Sequence, residues 1–284
     1  MTNITDMQET LVLGGTGKTG RRVVERLIAQ GVPTRVGSRS GEPPFDWEDR
    51  STWAPVLEGV RSAYVSYSPD LSVPGAVEAV GSFAELAVES GVPRLVLLAG
   101  RGEPEAEHAE DAVRESGADL TIVRSTWFAQ NFSEDYWVEG IRSGELALPA
   151  GDMPEPFVDA DDIADVAVAA LTDDRHIGEL YELTGPRLLS FAEAVGEIAQ
   201  AVGRGIRYVP VSLEEFAAAA AAQDVHAEVI ELLTRLFDEV LDGRNAHLVD
   251  GVQRALGREP RDFGDYARDA AATGVWSPEA IRAA

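Results

Sequence analysis

Gly14, Gly17 and Gly20 recur at every third position in LVLGGTGKTGRRVVERL, residues 11–27. Glycines at this spacing let backbone N–H groups close on a phosphate, and two kinds of loop do so. Gly17-Lys18-Thr19 matches the end of a nucleoside-triphosphate loop, whose pattern also needs a glycine five positions before its Gly-Lys pair. Val12 stands there, inside an apolar run, so that reading is set aside. The glycine series instead suits a dinucleotide. Gly14 makes the tight turn, Gly17 lets the pyrophosphate approach, and Gly20 allows a helix to meet the sheet.

The second chemical signal lies in VGSRS, residues 36–40. At the end of the second strand, a carboxylate receives the ribose 2′-OH of NAD, whereas an arginine receives the 2′-phosphate of NADP. No carboxylate occurs here before Glu42, and Arg39 sits between Ser38 and Ser40. A guanidinium fork flanked by hydroxyls favours NADP(H) over NAD(H).

These groups need a scaffold. Residues 10–13 read as a buried strand, and Val23, Val24, Leu27 and Ile28 repeat at helical spacing behind the glycine loop. Residues 33–38 read as a second strand, 45–47 as a short third, 63–67 as a fourth, 94–98 as a fifth and 120–123 as a sixth. Helical spacing runs over 77–88, then 161–171 follows a strand at 157–158, and 179–183 is a late strand. Later helices are expected at 191–202, 216–222, 228–241 and 263–272. The alternation predicts an α/β fold, a Rossmann-type doubly wound parallel sheet with a smaller, mainly helical C-terminal substrate-binding part. The boundaries are 8–186 for the NAD(P)-binding domain, with a substrate-loop insertion at about 126–158, and 187–284 for the helical part. Trp127, Phe128, Phe132, Tyr136 and Trp137 cluster where the strand–helix rhythm loosens.

Composition removes several function classes. The 284 residues hold no cysteine, which excludes disulfides and thiol catalysis, and the four histidines are scattered, so no metal is expected. A net charge of −25 disfavours direct binding to nucleic acid. No apolar run reaches the roughly 18 residues of a membrane helix, and the first ten residues lack a signal core. A cytoplasmic protein acting on a small molecule is expected; the oligomeric state is left open.

GGTGKTG at 14–20, VGSRS at 36–40, FDW at 45–47, GVPRLVLLAGRGE at 91–103, LTIVRSTWFAQNF at 120–132, PFVDADDIADVA at 156–167 and YELTGP at 181–186 follow one another in a known order. Through them the chain resembles the NmrA-like branch of the atypical short-chain dehydrogenase/reductases. The GKTGRR and RSTWFAQNF segments are similar to the ergot-alkaloid agroclavine/festuclavine dehydrogenase group and its bacterial relatives. The resemblance implies an NAD(P)H-dependent oxidoreductase of secondary-metabolism type. It implies that Thr16, Gly17, Lys18 and Thr19 contact the pyrophosphate and Arg39 the 2′-phosphate. Asp46 and Trp47 would lie near the adenine, with Ser66, Tyr67 and Ser68 under the ribose. Ala99 and Gly100 would approach the nicotinamide, and Trp127, Phe128 and Asn131 would line the substrate pocket. Asp46 has an alternative use as a helix cap, and Trp127 and Phe128 as core.

The chain departs from the wider superfamily in its acid. Those enzymes pair a tyrosine with a lysine four residues later, which lowers the phenol's pKa. Lys18 is the sole lysine here, and Gly14 stands four residues before it. A hydride delivered to an iminium carbon needs no such acid, because the neutral amine forms directly. Glu103, Glu105 and Asp135 are the carboxylates expected to hold a cation, and His108, Glu103 and Asn131 are the catalytic candidates. An NADPH-dependent reductase of an iminium, quinone or enone is the leading reading; a non-catalytic NADP(H)-binding redox sensor of NmrA type is the alternative.

Overall fold

A computed structural model describes residues 8–278 except Tyr136. In chain order its elements are β1 (Glu9–Leu13), α1 (Lys18–Ala29), β2 (Thr34–Gly37), α2 (Trp53–Leu57), β3 (Val60–Val65), α3 (Ala76–Glu89) and β4 (Arg94–Gly100). Next come α4 (Pro104–Glu115), β5 (Asp119–Ser125), α5 (Trp137–Ser143), β6 (Glu145–Leu148), β7 (Pro154–Glu155) and α6 (Ala160–Thr172). The chain continues through β8 (Leu180–Leu183), β9 (Leu189–Ser190), α7 (Phe191–Val202), β10 (Arg207–Pro210), α8 (Leu213–Ala221), α9 (Ala227–Val240), α10 (Gly251–Leu256) and α11 (Phe263–Ala272). These divide into two interleaved units. Among the described residues, one comprises 8–125, 160–183 and 251–258; the other comprises 126–159, 184–250 and 259–278. The chain passes between the units repeatedly, with 126–159 grouped with the later helices.

The first unit is built on six parallel strands in the order β2-β1-β3-β4-β5-β8. Alternate residues take opposite faces of a strand. Leu11, Leu13, Ala63, Val65, Leu95, Leu97, Leu120 and Ile122 share one core with α3, α4 and the aromatic side chains Phe45, Trp53 and Phe83. The intervening residues Val12, Tyr64 and Val96 are aligned across the sheet and fully buried outside that core. Burying both faces is why these strands read as continuous apolar runs. On the second face Thr10 and Ser62 join their hydroxyls at 3.1 Å.

Ion pairs hold α1 against α6. Arg26 reaches Asp161 at 2.6 Å and Asp165 at 2.5 Å, while Arg258 reaches Asp162 at 2.7 Å and Asp165 at 2.6 Å. The Asp162 side chain is fully buried, so Arg258 offsets a charge that would otherwise be costly to enclose.

The strand expected at 45–47 is absent; only an isolated bridge joins Asp46 to Asp49. Pro43 and Pro44 bring no N–H groups to a ladder. Asp46 Oδ1 accepts from the Glu48 N–H and Asp49 Oδ1 from the Ser51 N–H, so local turns displace pairing. Phe45 and Trp47 instead join Trp53 and Phe83 edge to face, with centroids 4.9–5.9 Å apart. The strand expected at 157–158 is likewise a single bridge, Phe128 to Val158, with the short β7 just before it.

The second unit packs around Phe132, Phe157, Phe191, Phe263 and Trp276. Trp276 Nε1 donates to the Phe132 carbonyl at 2.7 Å, giving the buried indole its partner. Helices α7 and α11 match the expected 191–202 and 263–272 closely. Ser190 and Glu193 form a reciprocal capping box that starts α7, and Gly203 ends it with a left-handed φ of 70°. The parallel pair β6/β10 was not expected from the sequence.

Candidate functional site

The sheet order reverses at β1: the chain leaves β1 for β2 on one side and returns to β3 on the other. Ligands of open α/β sheets bind outside the carboxyl ends of strands at such a switch point. Gly14 follows β1 and Ser66 follows β3, and they meet here. A Cβ placed on Gly14 would lie 3.4 Å from Ser66 Cβ and 3.5 Å from its Oγ.

The glycine loop has the geometry its spacing predicts. Gly14 is left-handed, with φ 64°, and its carbonyl accepts from the Gly17 N–H at 2.8 Å, closing the turn. Gly17 is the N-cap of α1 and offers no side-chain cap. The first-turn N–H groups therefore lack the usual side-chain acceptor, and the positive end of the helix suits a phosphate. A Cβ on Gly20 would collide with the Gly14 carbonyl, so the third glycine is needed for the helix to sit against its own loop. Thr16 is exposed on the loop and Lys18 begins the helix. Thr19 differs from its expected role: its side chain is buried, 4% exposed, and Oγ1 accepts from the Tyr64 hydroxyl at 2.9 Å. Only its backbone N–H remains suited to a phosphate.

Beyond β2, the Gly41 and Phe45 N–H groups both donate to the Ser38 carbonyl, folding 38–41 into a turn. Arg39 stands on that turn, exposed and making no hydrogen bond or ion pair among the described residues. Arg35, within β2 itself, is committed to Glu9 and to the carbonyls of Val56 and Glu58. The contrast leaves Arg39 as the cation available to an anion.

Trp47 and Tyr67 pack together with centroids 4.9 Å apart. Burial, with Glu48 adding to it, pushes the Tyr67 phenol above its usual pKa. Ser68 is exposed. Asp46 does not cap a helix; Asp49 does, while the Asp46 carbonyl accepts from Trp53 Nε1 at 2.8 Å.

Ala99 and Gly100 are the last two residues of β4, which runs two residues past the expected 94–98. A Cβ on Gly100 would run into the Glu103 carboxylate, so Glu103 folds back over the strand end through space that only glycine leaves. Glu105, in the first turn of α4, is half-buried, and its Oε2 is enclosed without a hydrogen bond. His108 is exposed on α4 with no hydrogen-bond partner among the described residues. Below this end of the sheet lies an ionic network that sequence reading missed. Arg124 holds the fully buried Glu110 through two bonds, and Arg101, 4% exposed, pairs with Glu182 at 3.4 Å.

In the second unit, Trp127 stacks at shallow angles on Trp137, with centroids 5.6 Å apart and planes at 22°, and on Phe237, at 5.0 Å and 28°. Trp127 and Phe128 are half-buried, between the core and pocket readings. Asn131 is half-buried in a 3-10 turn over Ala129–Phe132. Gln130 Nε2 donates to Asp159 Oδ1 at 2.7 Å, and the Ala129 N–H to the Val158 carbonyl at 2.8 Å. Asp135 is exposed, and Tyr136 lies outside the described residues. A cavity of about 470 Å³ opens beside Ala201, Arg204, Arg268 and Trp276, but none of the expected pocket residues lines it.

Residues 107–267 match the model of the NmrA-like family. The chain belongs to the NmrA-like family. The uncharacterized oxidoreductase YesF of Bacillus subtilis (strain 168) is 31% identical over 94% of this chain and 97% of its own. The agroclavine dehydrogenase of Claviceps fusiformis is 31% identical over 91% and 96% respectively, in line with the resemblance carried by GKTGRR and RSTWFAQNF. Among solved structures, the NADP(H) complex of a Citrobacter sp. triphenylmethane reductase superposes with a TM-score of 0.74 at 19% identity, covering 92% of this chain and 99% of that one. At that identity it supports the Rossmann-type fold of this NmrA-like chain.

Proposed function

We propose that this NmrA-like protein is an NADPH-dependent reductase that passes hydride to a small organic electrophile of iminium, quinone or enone type. The observation that carries the reading is the glycine cradle at the switch point, followed along the chain by the uncommitted guanidinium of Arg39. Gly14, Thr16, Gly17, Lys18, Thr19 and Gly20 receive the diphosphate, largely through backbone N–H groups. Arg39 and Ser38 hold the 2′-phosphate, which selects NADP(H) over NAD(H). Asp46 and Trp47 flank the adenine, and Ser66, Tyr67 and Ser68 the ribose. Ala99 and Gly100, the last residues of β4, would lie beside the nicotinamide. When bound, the coenzyme supplies the hydride. Trp127, Phe128 and Asn131 are the residues assigned to the substrate, with Trp127 and Phe128 offering it flat, apolar side chains. The redox names of YesF and agroclavine dehydrogenase support an oxidoreductase.

No Tyr-x-x-x-Lys pair is present, which fits an acceptor whose reduction creates no alkoxide. An iminium carbon gains the hydride's electron pair, and its nitrogen becomes a neutral amine without a proton donor. The carboxylates of Glu103 and Glu105 favour such a cation over neutral competitors. A quinone or enone would need a proton as well, for which Glu103 and His108 are the candidates.

A panel of iminium, quinone and enone compounds tests the reading through substrate-dependent loss of reduced-nicotinamide absorbance. Turnover with NADPH, and far less with NADH, is the expected result. Tight NADPH binding with no turnover across the panel would move the protein to the redox-sensor reading. Failure to bind either coenzyme would end both.

A further inference from the structure

Tyr64 is fully buried on β3, with Val12 of β1 and Val96 of β4 as its neighbours in the sheet. A phenol in that position demands a hydrogen-bond partner. It finds one 45 residues away, donating to Thr19 Oγ1 at 2.9 Å. Thr19 is the second residue of α1, next to Gly20, whose missing side chain lets the helix rest on the Gly14 carbonyl. Threonine in a helix divides between two side-chain rotamers, and this bond selects one.

We propose that Tyr64 is a positioning residue for coenzyme binding, tying the first turn of α1 to the sheet so that its N–H groups are set for a diphosphate. The inference rests on the dinucleotide reading above and adds to it a residue outside the glycine loop. The physical need is specific. Gly17 supplies no side-chain cap, and four glycines in the seven residues 14–20 leave the loop with little stiffness of its own. The sheet must therefore supply the rigidity, and Tyr64 is the one described side chain whose hydroxyl bonds to Thr19 from the neighbouring strand. Burial raises the phenol's pKa, so Tyr64 keeps its proton.

The test compares two ligands on Tyr64→Phe, Thr19→Val and Thr19→Ser by calorimetry. NADPH carries the diphosphate; adenosine 2′-monophosphate carries the adenine and 2′-phosphate but no diphosphate. Losing one oriented hydrogen bond in Tyr64→Phe and Thr19→Val should weaken NADPH binding by roughly tenfold, equivalent to about 1.4 kcal/mol. Binding of adenosine 2′-monophosphate should stay within about twofold of wild type. Thr19→Ser, which keeps the hydroxyl, should restore most of the NADPH affinity. Hydrogen exchange of the α1 first-turn amides in the coenzyme-free protein should be faster in Tyr64→Phe and Thr19→Val. NADPH binding within about twofold of wild type in both variants would overturn the proposal. Equal losses for the two ligands would overturn it too, because they would show a general loss of structure. Wild-type protein that binds no NADPH would instead sink the coenzyme reading itself, so the two failures are distinguishable.

Discussion

Arg124 of β5 grips Glu110 of α4 with both sides of its guanidinium, Nε to Oε1 at 2.6 Å and Nη2 to Oε2 at 2.7 Å. The Glu110 side chain is fully buried and that of Arg124 is 17% exposed. Glu107 and Glu182 approach the same guanidinium at 3.6 and 3.3 Å, and its pKa is raised, first through the bond to Glu110. This is how α4, whose first turn carries Glu105 and whose N-cap is Glu103, is fixed on the strand end.

Removing one partner should be costly. Arg124→Met leaves the enclosed Glu110 carboxyl with Arg114, at 3.5 Å, as its remaining cation, and unfolding in urea should show a loss of about 3–5 kcal/mol. Replacing both, as Arg124→Met with Glu110→Leu, should recover at least half of that. A single variant as stable as wild type would show that water reaches Glu110.

Arg39 offers the opposite case, a cation with no structural task. Arg39→Ala should leave thermal stability within about 0.5 kcal/mol of wild type, as an exposed side chain without partners would. Its effect should fall on the coenzyme alone. Losing a charge-assisted bond of about 1.5–3 kcal/mol should lower NADPH affinity by roughly 10- to 100-fold and leave NADH affinity unchanged. Undiminished NADPH preference in titration calorimetry would remove Arg39 from the site.

Gly20→Ala tests the cradle from the other direction. The new methyl collides with the Gly14 carbonyl, so either α1 slides away or the turn opens. Overpacking of this kind costs about 1–3 kcal/mol. The melting temperature should fall, and NADPH should rescue it poorly if the coenzyme takes, as proposed, the very turn that has been forced open. Full thermal stabilisation by NADPH in this variant would contradict the loop's assignment.

The loop and the main helices were legible because their causes are local. Glycine spacing reports steric need at one turn, and helix spacing reports one buried face. The tie between Tyr64 and Thr19 spans 45 residues, and nothing in SAYV distinguishes a tyrosine with a partner from one on a surface. The β6/β10 ladder joins segments 62 residues apart, each four residues long, too short to carry a period. The failed strand at 45–47 had its warning in Pro43 and Pro44, which outweigh the aromatic pattern that follows. On the candidate site, the residue types pointed to diphosphate and 2′-phosphate ligands, but not to which hydroxyl was already taken, as that of Thr19 is.

Acid should destabilise the fold through His176. Its side chain is buried, with Nδ1 2.8 Å from the Tyr181 hydroxyl, and the Thr121 hydroxyl donates to its carbonyl at 2.6 Å. Desolvation lowers its pKa, outweighing the opposing pull of Asp173 and Glu179, with Arg175 and Arg94 adding to the lowering. The folded pKa therefore lies below the unfolded value of about 6.5, and the unfolded chain binds the proton more readily. Stability from this group is complete above that unfolded value and is lost as pH falls through it toward the folded one. The depressed carboxylates, Asp173 and Asp262 among them, act in a lower window, below about pH 4, where their unfolded forms take up protons. Resistance of the wild type to denaturant should weaken between about pH 7 and 5, and His176→Gln should flatten that slope while leaving the steeper loss below pH 4 in place. An unchanged slope in the variant would assign the upper transition to another group.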